Sequence, residues 1–240
     1  MRKLITLVAI VISIVATAQE TTLLRLNYEK GDQYLVSMSM DQAGMMSMDI
    51  EMTLDVKEVI DTIYNVDMGI KSIKMDISQG GMDMSYDSKA SDEELDDMGK
   101  KMKAQFAPML SATIFTKMTD RAETLETKVE PPVQGMDKFT QSSGSVVYPK
   151  EDVAVGDSWT IEKLENGMEM IIIYTVKSIG KEIVNIEISG TIALMADGTI
   201  SGNMEIDRAT GNVNYSIMNM DMNASGQEIN MKINMTSKKL

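Results

Sequence analysis

The sequence predicts an all-β protein, mainly antiparallel, with one helix near residues 91–107. The expected architecture is a curved sheet, an open barrel or a sandwich, built from two duplicated halves. Three observations carry this expectation. Large apolar residues recur at every second position through most of the chain, the pattern of strands with one buried and one wet face. One segment alone switches to steps of three and four, as a helix requires. Short motifs of the first half reappear in the same order in the second.

The first element is an address. Met1-Arg2-Lys3 precedes a nearly unbroken apolar run from Leu4 to Val15, and Ala16-Thr17-Ala18 supplies the small-x-small pattern of signal-peptidase cleavage. Residues 1–18 are therefore expected to be a signal peptide, with a mature, soluble chain in the periplasm or secreted. No cysteine follows the run, so a lipoprotein anchor is not expected. No second run is long enough to span a membrane as a helix.

Alternation begins at Tyr34, Val36, Met38 and Met40 and continues through Met46, Met48, Ile50, Met52, Leu54 and Val56, with Ser47, Asp49, Glu51, Thr53 and Asp55 on the other face. It returns in Val66-Met68-Ile70, Met82-Met84-Tyr86, Met168 to Val176, Val184-Ile186-Ile188, Ile192-Leu194, Met204-Ile206 and Ile229 to Met235. Between Val213-Tyr215-Ile217 and Met218-Met220-Met222 the parity flips, which predicts a bulge or bend. The exception is Ser91-Asp92-Glu93-Glu94, which reads as a capping box. Leu95, Met98, Met102 and Phe106 follow it as one helical stripe, and Pro108 is expected to end the helix near Ala107.

The duplication rests on four matches. Gly31-Asp32-Gln33-Tyr34 pairs with Gly156-Asp157-Ser158-Trp159, and Met48 to Met52 pairs with Met168 to Ile172. Val56-Lys57-Glu58-Val59 pairs with Val176-Lys177-Ser178-Ile179, and Thr119 to Glu123 pairs with Ile206 to Gly211. The period, near 125 residues, excludes short-repeat solenoids and propellers. The implied organisation is an N-terminal β half at 19–130 that includes the helix, a polar, turn-rich connector at 131–145, and a C-terminal β half at 146–240.

Leu24 to Tyr34, Met84-Ser85-Tyr86-Asp87-Ser88, Tyr148-Pro149 and Val155-Gly156-Asp157-Ser158-Trp159 together resemble a family of exported bacterial proteins known only as a domain of unknown function. The resemblance implies no activity and transfers no site residue. By expected architecture alone, the chain is also similar to the curved half-barrels of bacterial lipoprotein-carrier and lipid-binding periplasmic proteins.

Composition narrows the chemistry. With no histidine there is no Ser-His-Asp triad and no imidazole metal site, and with no cysteine there is no disulfide, thiolate nucleophile or Cys-ligated metal. Thirty-six acidic residues against 23 basic ones give a formal charge of −13, which disfavours nucleic acid and anionic membranes as partners. Asp87, Asp120, Asp157 and Asp207 fall where turns are expected, and no pair of carboxylates can be nominated for hydrolysis from spacing. The expectation is a non-enzyme without cofactor or resident metal, with a carboxylate hydrolase as the remote alternative.

Twenty-five methionines are the unusual feature. Met-x-Met pairs place side chains on one strand face about 6.5–7 Å apart, a spacing that thioether arms can close around Cu(I) or Ag(I). The same positions coincide with the apolar face of the alternation, which makes them core filler. Between these lies a third reading, a concave Met-lined face holding a lipid or another apolar ligand, or an envelope protein. Its candidate walls are Met48, Met52, Met170, Ile172, Met220 and Met231. A fully packed core without a cavity is the competing expectation.

Overall fold

The computed structural model describes residues 20–79, 82–134, 136, 146–165, 167–224 and 226–240. The expected signal peptide and most of the expected connector lie outside the described residues. Along the chain come β1 (Thr21–Thr22), β2 (Gln33–Gln42), β3 (Met46–Ile60), β4 (Ile63–Gln79), β5 (Met82–Asp87), α1 (Asp97–Ser111), β6 (Thr113–Thr119) and β7 (Thr124–Glu130). They are followed by β8 (Val153–Ala154), β9 (Ser158–Glu165), β10 (Met168–Ile179), β11 (Ile183–Leu194), β12 (Asp197–Asp207), β13 (Val213–Ala224) and β14 (Gln227–Lys239).

Eleven of these strands form one antiparallel path in the order β7-β6-β4-β3-β2-β14-β13-β12-β11-β10-β9, and β5 pairs with the second half of β4. The path does not close on itself, so the sheet is open and curved, with β7 and β9 at its two ends. β1 and β8 make a separate two-stranded pair. On either side of β14 the order β7-β6-β4-β3-β2 repeats as β13-β12-β11-β10-β9. The first set differs by an insertion between β4 and β6, which is β5 and α1; the second joins β11 to β12 by a tight hairpin.

Local hydrogen bonds repeat along with the order. Gly31 and Gly156 have φ of 95° and 96°, in the left-handed region that suits glycine. Their amides donate to Val56 O and Val176 O, each at 2.8 Å. The Asp32 and Asp157 carboxylates each accept a backbone amide three residues back, from Glu29 at 3.0 Å and Ala154 at 2.8 Å. Bulges follow at Val56/Glu58 and at Val176/Ser178. Just beyond them Asn65 Nδ2 donates to Glu58, and Asn185 Nδ2 donates to Ser178.

Two local expectations are corrected. The helix spans Asp97–Ser111 rather than 91–107. Ser91 and Glu94 do bond one another, the Ser91 amide donating to Glu94 Oε2, but they close a separate turn. The true cap is Asp96, whose carboxylate accepts the Gly99 amide at 2.6 Å. Pro108 lies inside the last turn, where its missing N–H deprives the Ala104 carbonyl of its helical donor, yet the helix runs on to Ser111. Its buried stripe passes through Leu95, Gly99, Met102 and Phe106, while Met98 is 42% exposed on the flank. The parity flip of β13 is present but sits upstream, at Asn214, where the pairing with β12 shifts between Glu205 and Ile206. Tyr215 and Ile217 consequently face outward, opposite Glu205 and Asn203.

All core side chains of the sheet lie on its inner face, in two clusters. The first gathers Tyr34, Val56, Tyr64 and the inner residues of β10–β12. It is plugged at one end by Leu24, Leu26, Tyr28 and Tyr148, from segments outside the main sheet. The second packs Ile50, Ile70, Ile73, Met75 and Ile114 beneath α1 through Leu95, Met102 and Phe106. Among the described residues no helix covers the C-terminal strands, which bury their side chains by bending. Gly190 and Gly202 stand on that face, and a Cβ there would lie 2.2 Å from Ile171 O and 2.0 Å from Ile217 O. Such close backbone approach is how glycine kinks curve a sheet.

Candidate functional site

The register puts the hairpin turns β2–β3, β9–β10, β11–β12 and β13–β14 at one end of the sheet, opposite the plugged end. Between the two core clusters the inner face is formed by β2, β14 and β13, and cross-strand partners share a face. One rung reads Met218, Ile233, Met40, Met48, Met75 and Tyr86. The next, nearer the turns, reads Met220, Met231, Gln42, Met46, Ile77 and Met84. Val36, Met40, Met231, Ile233 and Met235 are half-exposed and belong to neither core cluster. The centre of the inner face is thus a half-buried apolar strip that belongs to neither core cluster.

Two clefts lie at the turn end. The larger, about 650 Å³, is floored by Met46, Ile77, Met84, Ala90 and Leu95 and rimmed by Asp41, Asp76, Asp83, Asp87, Glu94 and Asp96. The other, about 520 Å³, continues along Met45, Met46, Ile77, Gln227 and Ile229. The rim carboxylates have local partners: Asp76 accepts Ser85 Oγ and Asp83 accepts Ser78 Oγ across the β4–β5 pair, and Asp87 accepts the Lys89 amide. Among the described residues no group of three or more Asp or Glu is placed to hold a metal ion.

The six sequence-nominated wall residues all lie on the inner face, but they are not brought together. Met48 and Met52 pack with the helix-covered cluster, and Met170, Ile172 and Met220 with the other, where Ile172 is 4% exposed. Met231 is the one member of the six on the half-buried strip, where it pairs with Met220 across β13 and β14. Neither cleft is lined by any of the six. Sequence reasoning missed Val36, Met40, Ile233 and Met235. Their alternation was visible, but the pairing of β2 with β14 joins residues 195 apart and has no local signal.

The plugged end is polar inside. The Tyr28 and Tyr34 rings meet tilted, centroids 5.0 Å apart, and Tyr28 meets Tyr64 edge-on at 5.6 Å. Tyr28 Oη donates to Asn212 Oδ1 at 3.1 Å, Tyr64 Oη to Leu26 O at 2.7 Å and Tyr148 Oη to Gly211 O at 2.7 Å. Burial pushes the Tyr34 and Tyr174 hydroxyls up to about 12 and those of Tyr28 and Tyr148 further. These hydroxyls stay protonated, and those of Tyr28 and Tyr148 act as structural donors. Of the turn aspartates, Asp157 and Asp207 bond backbone amides in their own turns, and Asp120 pairs with Arg25 at 3.5 Å.

Residues 135–213 match a family of unknown function (DUF6263). The match includes the Tyr148-Pro149 and Val155 to Trp159 motifs and not the Leu24 to Tyr34 opening. Comparison with curated proteins yields no match. A matching solved structure is that of an outer membrane lipoprotein-sorting protein domain, so described, from Vibrio parahaemolyticus. It is 8% identical over 89% of this chain and 87% of that one, with a TM-score of 0.21.

Proposed function

We propose that the chain is an exported, non-enzymatic binding module that holds an apolar ligand along the half-buried strip of its inner face. The observation that carries this reading is the strip itself: Val36, Met40, Met231, Ile233 and Met235, half-exposed at the middle of a sheet whose two flanks are packed. A contiguous, half-buried apolar strip of this kind suits the lining of a binding groove, and flexible thioether side chains re-pack around varied shapes. The clefts at the turn end supply an opening. The apolar run at Leu4 to Val15 supports export, and no helix of the described residues is long and apolar enough to cross a membrane.

The test joins two measurements. Native mass spectrometry of protein purified from its host should show a co-purifying lipid, and the stripped protein should bind the neutral fluorophore N-phenyl-1-naphthylamine. Met40→Gln combined with Ile233→Gln should weaken that binding by about tenfold, equivalent to about 1.4 kcal/mol. A clean apo mass with no fluorophore binding refutes the reading.

Soft-metal binding is the second reading, favoured by one observation: Met40, Met48 and Met75 are direct neighbours on three adjacent strands. Anaerobic Cu(I) titration should then give tight stoichiometric uptake. Micromolar or weaker binding that survives Met38, Met40, Met46 and Met48→Leu would exclude it.

A further inference from the structure

We propose that the joined tips of the β9–β10 and β11–β12 hairpins dock the protein on a zwitterionic lipid surface. This goes beyond the binding-module reading: it concerns where the protein sits, and it requires no loaded groove.

Leu164, Leu194 and Met195 are 74%, 69% and 69% exposed, the most exposed large apolar side chains among the described residues. They stand on two adjacent turns, Leu164 on the outer-face side opposite Glu169 and Leu194 on the inner-face side opposite Met168. Met168 pairs with both Leu194 and Glu165, which brings the two turns side by side. Met195 lies across Gly167, so closely that a Cβ on Gly167 would sit 2.5 Å from its sulfur. Scattered surface leucines need no explanation, but a cluster at a protruding tip does.

The backbone supplies an independent observation. Leu194 has φ of 77°, a left-handed conformation that is strained for a bulky residue. At the neighbouring turns of the same end the left-handed positions include Gly44, Gly167 and Gly226, with φ of 74°, 79° and 83°. A glycine at 194 would relieve the strain, so retaining leucine there holds an apolar side chain in water against the preference of both backbone and solvent. Strain kept at an exposed position points to a contact made elsewhere. The β10–β11 ladder stays paired up to the Met168–Leu194 rung, so Leu194 and Met195 have paired backbone behind them, whereas Leu164 stands on β9, the end strand of the sheet.

Charge selects the lipid. The exposed neighbours Glu162, Glu169 and Asp197 outnumber the half-buried Lys163 beside the tip, and their carboxylates complement the outward ammonium groups of zwitterionic headgroups. They and the net −13 repel an anionic surface. The tip also shares its end of the sheet with the two clefts, so docking would turn their openings toward the lipid.

The experiment is flotation of the mature chain with vesicles of phosphatidylcholine and, separately, of phosphatidylcholine mixed with phosphatidylglycerol. The wild type should float with the first and less with the second. Leu164→Ser combined with Met195→Ser should reduce flotation about tenfold. Leu194→Gly should reduce it severalfold while leaving the melting temperature unchanged or higher, a combination that a structural role for Leu194 would not produce. No flotation of the wild type, equal flotation of the variants, or stronger binding to the anionic vesicles overturns the proposal. So does a dimer in sedimentation velocity that dissociates in the same variants, since the tip would then bind a second copy. The tip variants should bind N-phenyl-1-naphthylamine normally; loss of fluorophore binding at the central strip with vesicle docking intact would count against the groove alone.

Discussion

Replacing Gly202 with alanine tests whether the C-terminal half is curved by missing side chains. Gly202 faces inward on β12 between Ile188 and Met218, and an added Cβ would lie 2.0 Å from Ile217 O and 3.0 Å from its carbonyl carbon. An ordinary contact needs well over an ångström more, and the atom in the way is backbone. β13 must therefore shift, or the ladder must open. Overpacking of this kind costs about 1–3 kcal/mol, and the upper end applies because no side chain can rotate clear. At about 2–4 °C per kcal/mol for a chain of this size, 3 kcal/mol lowers the melting temperature by about 6–12 °C. Gly69→Ala is the control: in β4 the same Cβ would meet only Thr53 Oγ1 at 3.8 Å, and alanine in a strand interior should gain about 0.5 kcal/mol. Calorimetry on both variants, with urea titrations to check that the m-value is unchanged, decides the matter. Melting temperatures that move in the same direction, or a Gly202→Ala shift within about 1 °C of zero, would refute the close-approach argument.

Two further predictions concern the tyrosines. Tyr64→Phe leaves the buried Leu26 carbonyl without its 2.7 Å donor and should lose about 1–2 kcal/mol in chemical denaturation. Tyr34→Phe removes a buried hydroxyl with no hydrogen-bond partner among the described residues and should be neutral or stabilising by up to about 1 kcal/mol. Equal losses for the two would contradict the hydrogen-bond assignment. In alkali, Tyr34 and Tyr174, pushed up to about 12 chiefly by burial, keep their protons in the fold while the unfolded chain loses them near 10. Their contribution is complete below pH 10 and is lost as pH rises from 10 to 12, so unfolding free energy should fall across that interval. A flat profile there would show that these hydroxyls are solvated.

Much of the fold was legible because most strands show their buried face in the alternation: Met46 to Val56 reads as a strand and lies in one. The duplication was legible where the backbone demands particular residues, as at Gly31-Asp32 and Gly156-Asp157, whose turns repeat bond for bond. Helix limits were not, because Ser91-Glu94 and Asp96-Gly99 offer competing caps and only packing under Leu95 and Met102 selects the second. The candidate site was least legible. Met48 and Met40 look alike in sequence, and what separates a methionine packed on a core cluster from one on the strip is the position of α1 and the joining of β2 to β14. Leu194 gave no signal, since neither its left-handed backbone nor its exposure is written in a leucine.

The seam between β2 and β14 also sets a kinetic order. Every other junction of the main sheet links strands that follow one another in the chain or lie one insertion apart, whereas Asn234 and Ser39 meet across 195 residues. Local hairpins on either side can form early, but the seam must await a loop closure of nearly the whole chain, the slow class of contact. Until then β2 and β14 each expose an unpaired edge and a row of methionines, the state most open to misassociation. The rate-limiting event in refolding should thus be the meeting of two preformed half-sheets, and aggregation should compete at that step.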